Sequence, residues 1–243
     1  MTVHVLPSEE RGRANHGWLQ SHHSFSFADF YNPRQMGYRW LRVINEDVVQ
    51  GGAGFPTHPH RDMEIVTYII DGALEHKDST GGHSIIKRGE VQRMTAGTGV
   101  RHSEFNASKT DPVHLLQIWL LPNQRNLAPG YEQKLFAEAD KHNKLCPLVT
   151  PDGRDGTLSI HQDVSLYGAV LDEGVTVEHR LAAGRGAWVQ VVSGDLTVND
   201  QEIRQGDGAA IEDAEVLRIA AGQKSEFILF DLAGPGSQVG GQA

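Results

Sequence analysis

The chain is poor in several features, and each shortage narrows what it can be. A single cysteine, Cys146, among 243 residues allows no intrachain disulfide and suits a reducing compartment. No nucleophile motif surrounds Cys146, so its expected role is packing. No run reaches 18 consecutive apolar residues, which leaves no candidate membrane helix. Residues 1–10 lack the basic segment and apolar core of a secretory leader, so the chain is expected in the cytoplasm. Positive charge is scarce as well: Lys and Arg number 22 against 31 Asp and Glu, a net charge of −9, with no basic run to offset it. That balance argues against a nucleic-acid partner and for a soluble, weakly self-repelling molecule, expected to be a monomer.

What is present is ordinary for a globular protein, with 39% apolar and 22% charged residues. A length of 243 residues permits one large all-β domain or two of ordinary size, each able to bury a core.

Two short runs carry the chemistry. Residues 54–64 contain His58 and His60, and residues 97–106 contain His102 and Glu104. In a strand, residues i and i+2 project to the same face, so each pair points one way. Two such strands side by side bring three imidazoles and one carboxylate to one point. A lone histidine in an apolar strand is more often a packed or surface residue. An H-x-H and an H-x-E, each after a glycine-rich turn, are much harder to obtain by chance. Three neutral imidazoles and one carboxylate suit a divalent Fe, Mn, Co, Ni, Cu or Zn and leave one or two coordination positions open. Pro59, between two of these residues, cannot donate a ladder hydrogen bond and belongs at a strand end or sheet edge, which places the site near a barrel mouth.

These runs resemble the two motifs of the cupin superfamily: Gly52, five residues, His58-x-His60, three residues, Glu64; then Gly89 on to His102 and, four later, Asn106. The resemblance is closer to the pirin family, whose members read much like GFPTHPHRDMEIVTY (residues 54–68) and MTAGTGVRHSEFN (residues 94–106). Thr95 departs from the general cupin motif, which prefers proline there. The resemblance implies two tandem cupin-type β-barrels, with His58, His60, His102 and Glu104 as metal ligands in the first. Glu64, a ligand position in many cupins, is implied not to be one. It also implies Fe(II) as the metal and the quercetin 2,3-dioxygenase activity found among pirin relatives, which opens the central ring of a flavonol with O2 and releases carbon monoxide. Glu104 would then act as catalytic base as well as ligand. A second implied reading is a non-catalytic, redox-sensitive regulator that binds a protein partner. A third is a different small-molecule cupin, such as an isomerase or a sugar-binding module.

Along the chain, Leu41–Val49 reads as a strand, residues 64–70 as a run apolar on both faces, Asp71-Gly72 as a hairpin turn, and residues 73–78, 83–87, 91–95 and 113–121 as further strands. Ser24 to Phe27 alternates like a strand. Residues 123–150 read as a connection, with a short helix in 136–146. The expected division is a metal-binding front barrel over 1–140, a metal-free rear barrel over 141–233 and a flexible tail over 234–243. The second half repeats the first weakly: Gly194 matches Gly72 and Gly206 matches Gly89. On that alignment the ligand positions fall near Arg180 and Ala182, and near Ile219 and Ala221, none of which forms a histidine pair. His22 and His23 are expected to be hydrogen-bonded at a seam rather than extra ligands. Phe55, Met63, Tyr68, Met94, Phe105 and Trp119 are candidate pocket walls. His76 is a candidate for the cavity or for a place behind the ligands, and Asp62 and Glu64 are candidate partners for the ligands' second nitrogens.

Overall fold

The computed structural model describes residues 1–234; the tail expected over 234–243 lies, past Gly234, outside the described residues. The front half contributes β1 (Thr2–Leu6), β2 (Gly12–Asn15), β3 (Leu19–His23), β4 (Leu41–Val49), β5 (Gly54–His60) and β6 (Glu64–Asp71). It continues with β7 (Ala73–Asp78), β8 (His83–Lys87), β9 (Glu90–Thr95), β10 (Val100–Asn106), β11 (Val113–Leu120) and β12 (Gly130–Leu135). After one helical turn, α1 (Glu138–Lys141), come β13 (Cys146–Thr150), β14 (Leu158–Ser159), β15 (Val164–Leu171), β16 (Thr176–Arg180) and β17 (Gly186–Ser193). The last five are β18 (Asp195–Val198), β19 (Gln201–Arg204), β20 (Gly208–Glu212), β21 (Val216–Ala221) and β22 (Ser225–Leu232).

The fold is all-β, with two cupin barrels in tandem. In front, the seven-stranded sheet β12-β9-β6-β11-β4-β3-β2 packs on the four-stranded sheet β5-β10-β7-β8. The rear repeats the strand order, β1-β20-β17-β22-β15-β13-β14 on β16-β21-β18-β19, except that β13 and β14 pair parallel where β3 and β2 pair antiparallel. Each barrel has an apolar interior, with Leu19, Val49, Ile69, Leu74, Ile86 and Leu115 among the front residues and Val189, Leu217, Ile219 and Phe227 among the rear. A third core lies between them, where Ile44, Val66, Tyr68, Leu116 and Ile118 of the front sheet meet Leu148, Leu166, Trp188, Ile228 and Phe230 of the rear. Strands such as β6 and β22 therefore bury both faces, which is why their sequences do not alternate.

Several expectations change. Asp71-Gly72 does not close a hairpin: β6 pairs with β9 and β11, whereas β7 pairs with β8 and β10. Gly72, at φ +79°, instead lets the chain pass from one sheet to the other, and a Cβ there would meet the Pro112 carbonyl at 2.9 Å. The strand near residue 24 ends at His23; Ser26 instead bonds across a loop to Asn32 and Gln35, a side-chain alternative to the ladder. The expected connection at 123–150 holds an edge strand, β12, whose half-exposed polar sequence hides it, and the helix shrinks to the four residues of α1. The first strand crosses the expected boundary at 140: β1 lies in the rear sheet against β20, the place that β12 takes against β9 in front.

Candidate metal centre

β5 sits at the edge of its sheet, where Pro56 and Pro59 do no harm to a ladder. Its inner neighbour β10 alternates strictly, burying Val100, His102, Glu104 and Asn106. The two pair antiparallel with His102 opposite His58 and Val100 opposite His60, and a bulge follows between His102 and Glu104. On the other side of β10, Glu104 stands opposite His76 and His102 opposite Asp78.

This register brings His58, His60 and His102 together, with one nitrogen of each lying within 4.8 Å of the others. Glu104 forms a second group with His102 and His76 at the same reach. The four expected ligands fall in two overlapping groups that share His102, three imidazoles in one and Glu104 with His76 in the other, and among the described residues no group holds all four. The Glu104 carboxylate is held by Gln117 Nε2, which donates to both oxygens at 3.0 Å, while Gln117 Oε1 accepts from Thr67 Oγ1 at 3.0 Å.

The hydrogen bonds of the rings decide which nitrogens can face a cation. The Pro56 carbonyl, 2.8 Å from His58 Nδ1, can only accept, so Nδ1 carries the proton and Nε2 carries a lone pair. That Nε2 faces His102 Nε2 at 3.0 Å. When His102 presents a lone pair there too, only a cation between them relieves the repulsion. Two nitrogens about 2.0–2.1 Å from one ion sit about 3.0 Å apart at a right angle and about 3.4 Å apart at a tetrahedral one. The spacing fits adjacent ligands of a five- or six-coordinate ion. Burial pushes His60 down to about 4, with the neighbouring His58 adding to the effect. Burial and then the charges of His58, His60 and His76 take His102 down to about 2. Both imidazoles are neutral at pH 7, the form that binds metal. Burial raises Glu104 to about 7 despite the bond from Gln117.

The surroundings differ from the sequence expectation. Asp62 accepts from the Asn126 amide at 2.7 Å, and Glu64 accepts from Thr95 Oγ1 at 3.1 Å and the His161 amide at 3.4 Å, so neither holds a ligand's second nitrogen. The partner of His58 is a backbone carbonyl, and the partner of His102 is His76, Nδ1 to Nδ1 at 3.4 Å. Asp78, unmarked by sequence reasoning, bonds His76 Nε2 at 2.9 Å. His76-Lys77-Asp78 is an i, i+2 pair on a strand, as His58-x-His60 and His102-x-Glu104 are. His23 packs against Phe27 at 5.3 Å, and among the described residues neither cluster of candidate ligands includes it or His22. Of the candidate walls, Trp119 lies edge-on to His60 at 4.8 Å, and Met63 packs beside it. Tyr68 faces the rear barrel instead, donating to Glu226, Met94 is core, Phe55 packs on Trp18, and Phe105 points outward. A cavity of 560 Å³, lined by Pro59, His60, Arg61, Ser79, Val100 and Arg101 among others, opens beside His60.

In the rear barrel, Leu217 pairs with His179 as His102 pairs with His58, and Val198 pairs with Ile219 as His76 pairs with Glu104. The positions matching the four candidate ligands are therefore His179, Leu181, Leu217 and Ile219, one or two residues from the sequence estimate. Three of them offer no donor, and His179 Nε2 bonds Asp231 at 2.8 Å.

The Pirin family model matches residues 6–120, and that of the quercetinase C-terminal cupin domain matches residues 147–232. A protein of Escherichia coli (strain K12) named quercetin 2,3-dioxygenase is 47% identical over 230 residues, which cover 95% of this chain and 98% of that one. The chain belongs to the pirin family. Among solved structures, YhhW from Escherichia coli matches this pirin with a TM-score of 0.93 at 46% identity, covering 96% of this chain and 98% of that one. The bacterial pirin YhhW in complex with nickel(II) gives a TM-score of 0.92 at 46% identity, covering 96% and 100%. In this pirin, Thr95, which stands where the general cupin motif has proline, binds the Glu64 carboxylate through its hydroxyl.

Proposed function

We propose that this chain is a metal-dependent dioxygenase, an oxidoreductase that opens the central ring of flavonols such as quercetin with O2 and releases carbon monoxide. His58, His60, His102 and Glu104 are the proposed ligands of one divalent metal, with Fe(II) foremost and Cu, Mn, Co, Ni or Zn compatible by ligand type. The observation that carries the reading is the pair of imidazole nitrogens facing each other at 3.0 Å in a chain 47% identical to a protein of that name. When bound, the metal supplies Lewis acidity toward the substrate's enolic oxygen and a centre able to exchange electrons with O2.

The chain's own residues do the rest. Glu104, buried beside the imidazoles, accepts the proton of the flavonol 3-hydroxyl on a carboxylate oxygen, and burial favours its proton-bound form. Gln117 fixes that carboxylate through both oxygens, so it meets the hydroxyl in one orientation. Trp119, Met63 and Val100 form an apolar cluster beside the imidazoles and keep water from the reacting face. The 560 Å³ cavity is of a size that takes a three-ring ligand, and Arg61 and Arg101 in its wall suit an anionic phenolate.

The test is anaerobic loading with each metal in turn, then quercetin and air. Ring-cleaved product with stoichiometric carbon monoxide is expected for at least one metal. Neither product with any metal removes the reading.

A further inference from the structure

Behind the three imidazoles, a string of buried groups runs from His102 to the turn after β7. His102 Nδ1 faces His76 Nδ1 at 3.4 Å, and His76 Nε2 lies 2.9 Å from Asp78 Oδ2. His76 is fully buried. Asp78 is tied by its other oxygen: Oδ1 accepts from the Thr80 amide at 2.8 Å, Thr80 Oγ1 at 2.5 Å and the Gly82 amide at 3.1 Å. Its two oxygens therefore have separate tasks.

His102 has one N–H for two neighbours. It faces His58 through Nε2 and His76 through Nδ1, and a neutral imidazole can donate through only one nitrogen. The other nitrogen must meet its partner across a cation. Asp78 is an acceptor only, so His76 Nε2 carries the proton and His76 Nδ1 offers a lone pair. That lone pair receives the N–H of His102 Nδ1, which leaves His102 Nε2 free to meet the ion beside His58 and His60. The opposite choice would put an ion at His102 Nδ1 beside His76, with two imidazoles in place of three and without His60, which lines the cavity.

We propose that Asp78 and His76 are positioning residues that set the tautomer of His102, so that it offers Nε2, not Nδ1, to the metal. The inference rests on His58, His60 and His102 as ligands, not on the substrate. The device is the carboxylate–histidine–metal arrangement lengthened by one ring, and breaking such a support costs about 10- to 100-fold in metal affinity.

Asp78→Asn is a sharp test because the turn dictates how the amide sits. The three donors at Oδ1 demand its oxygen, so its NH2 is presented to His76 Nε2. His76 must then accept at Nε2 and carry its proton on Nδ1, facing the proton on His102 Nδ1. The control is Glu75→Gln, which removes the same charge from the same strand, where Glu75 pairs with Lys77 and His83 on the outer face. Zinc binding is measured for the wild type and both variants, and nitrogen-15 NMR of the zinc-loaded wild type reports which ring nitrogen of His102 carries the proton.

The expected result is a His102 with Nδ1–H and a metal-bound Nε2, a 10- to 100-fold loss of zinc affinity in Asp78→Asn, and none in Glu75→Gln. Coordination of His102 through Nδ1, or equal affinity in the wild type and Asp78→Asn, overturns the proposal and leaves the ligand set standing. A wild type that binds no zinc removes the ligand set and the proposal together. The NMR result decides even if the variant folds poorly.

Discussion

At the residue scale, burial raises the pKa of two carboxylates inside the front barrel, with different consequences. Glu104 is raised to about 7 by burial, and Gln117 is its hydrogen-bond donor. Glu104→Gln keeps the shape and the three imidazoles but removes the base. Turnover of quercetin is expected to fall by about 10²- to 10⁴-fold with metal still bound, read from carbon monoxide release beside metal content. Asp47, raised to about 6 by burial against the bond from Ser21 Oγ at 2.5 Å, is a matter of stability. Its folded pKa exceeds its unfolded one, so its contribution is most favourable below about pH 4 and is lost as the pH rises through about 6. Asp47→Asn is expected to add about 2 kcal/mol at pH 7 and to flatten the dependence between those pH values. Urea denaturation at a series of pH values checks it, and an unchanged slope would refute this account of Asp47.

The strand pair β5 and β10 is the element that assembles the site, and one glycine sets how close they come. A Cβ on Gly54 would meet the Glu104 carbonyl oxygen and Phe105 Cα, both at 2.4 Å, and backbone has little room to yield. Gly54→Ala is expected to cost about 1–3 kcal/mol and to weaken zinc binding, since the strand that carries His58 and His60 must move away from His102. A fall in melting temperature with unaltered zinc affinity would show that the two strands position their histidines independently. The three imidazoles were legible at this level because a two-residue period is a local property. His76 is a sequence candidate for a place behind the ligands, but its link to His102 and the part of Asp78 are not legible, because both reach His102 from the far side of β10, across a pairing that no local pattern specifies. The same holds at Gly72: a tight turn is visible in sequence, but which sheet the next strand joins is not.

At the scale of the whole molecule, the barrels share one core and a set of polar clasps. Tyr68 donates to Glu226, Arg88 donates to its other oxygen at 2.8 Å, and Lys141 Nζ donates to the Tyr68 hydroxyl at 3.0 Å. Arg11 ties Glu46 of the front barrel at 2.6 Å and the Gly206 carbonyl of the rear at 3.1 Å. Unfolding is expected as one transition, with tryptophan fluorescence and far-UV circular dichroism coinciding. Glu226→Ala leaves the buried Lys141 ammonium without its nearby carboxylate and is expected to cost about 2–3 kcal/mol by urea denaturation. Separate fluorescence and dichroism transitions in the wild type would mean that the shared core does not couple the halves.

Many short strands between glycine-marked turns and the two i, i+2 ligand-bearing runs could be read from the chain alone, because they are local, and the doubled barrel followed from the family resemblance with the weak repeat at Gly194 and Gly206. Only the folded molecule decided that β1 belongs to the rear sheet and that apolar Leu181, Leu217 and Ile219 stand where the front barrel has donors. It alone showed that His102 stands between two imidazoles with a single proton to give. These depend on which strands become neighbours, a choice made by burying apolar surface across the whole molecule.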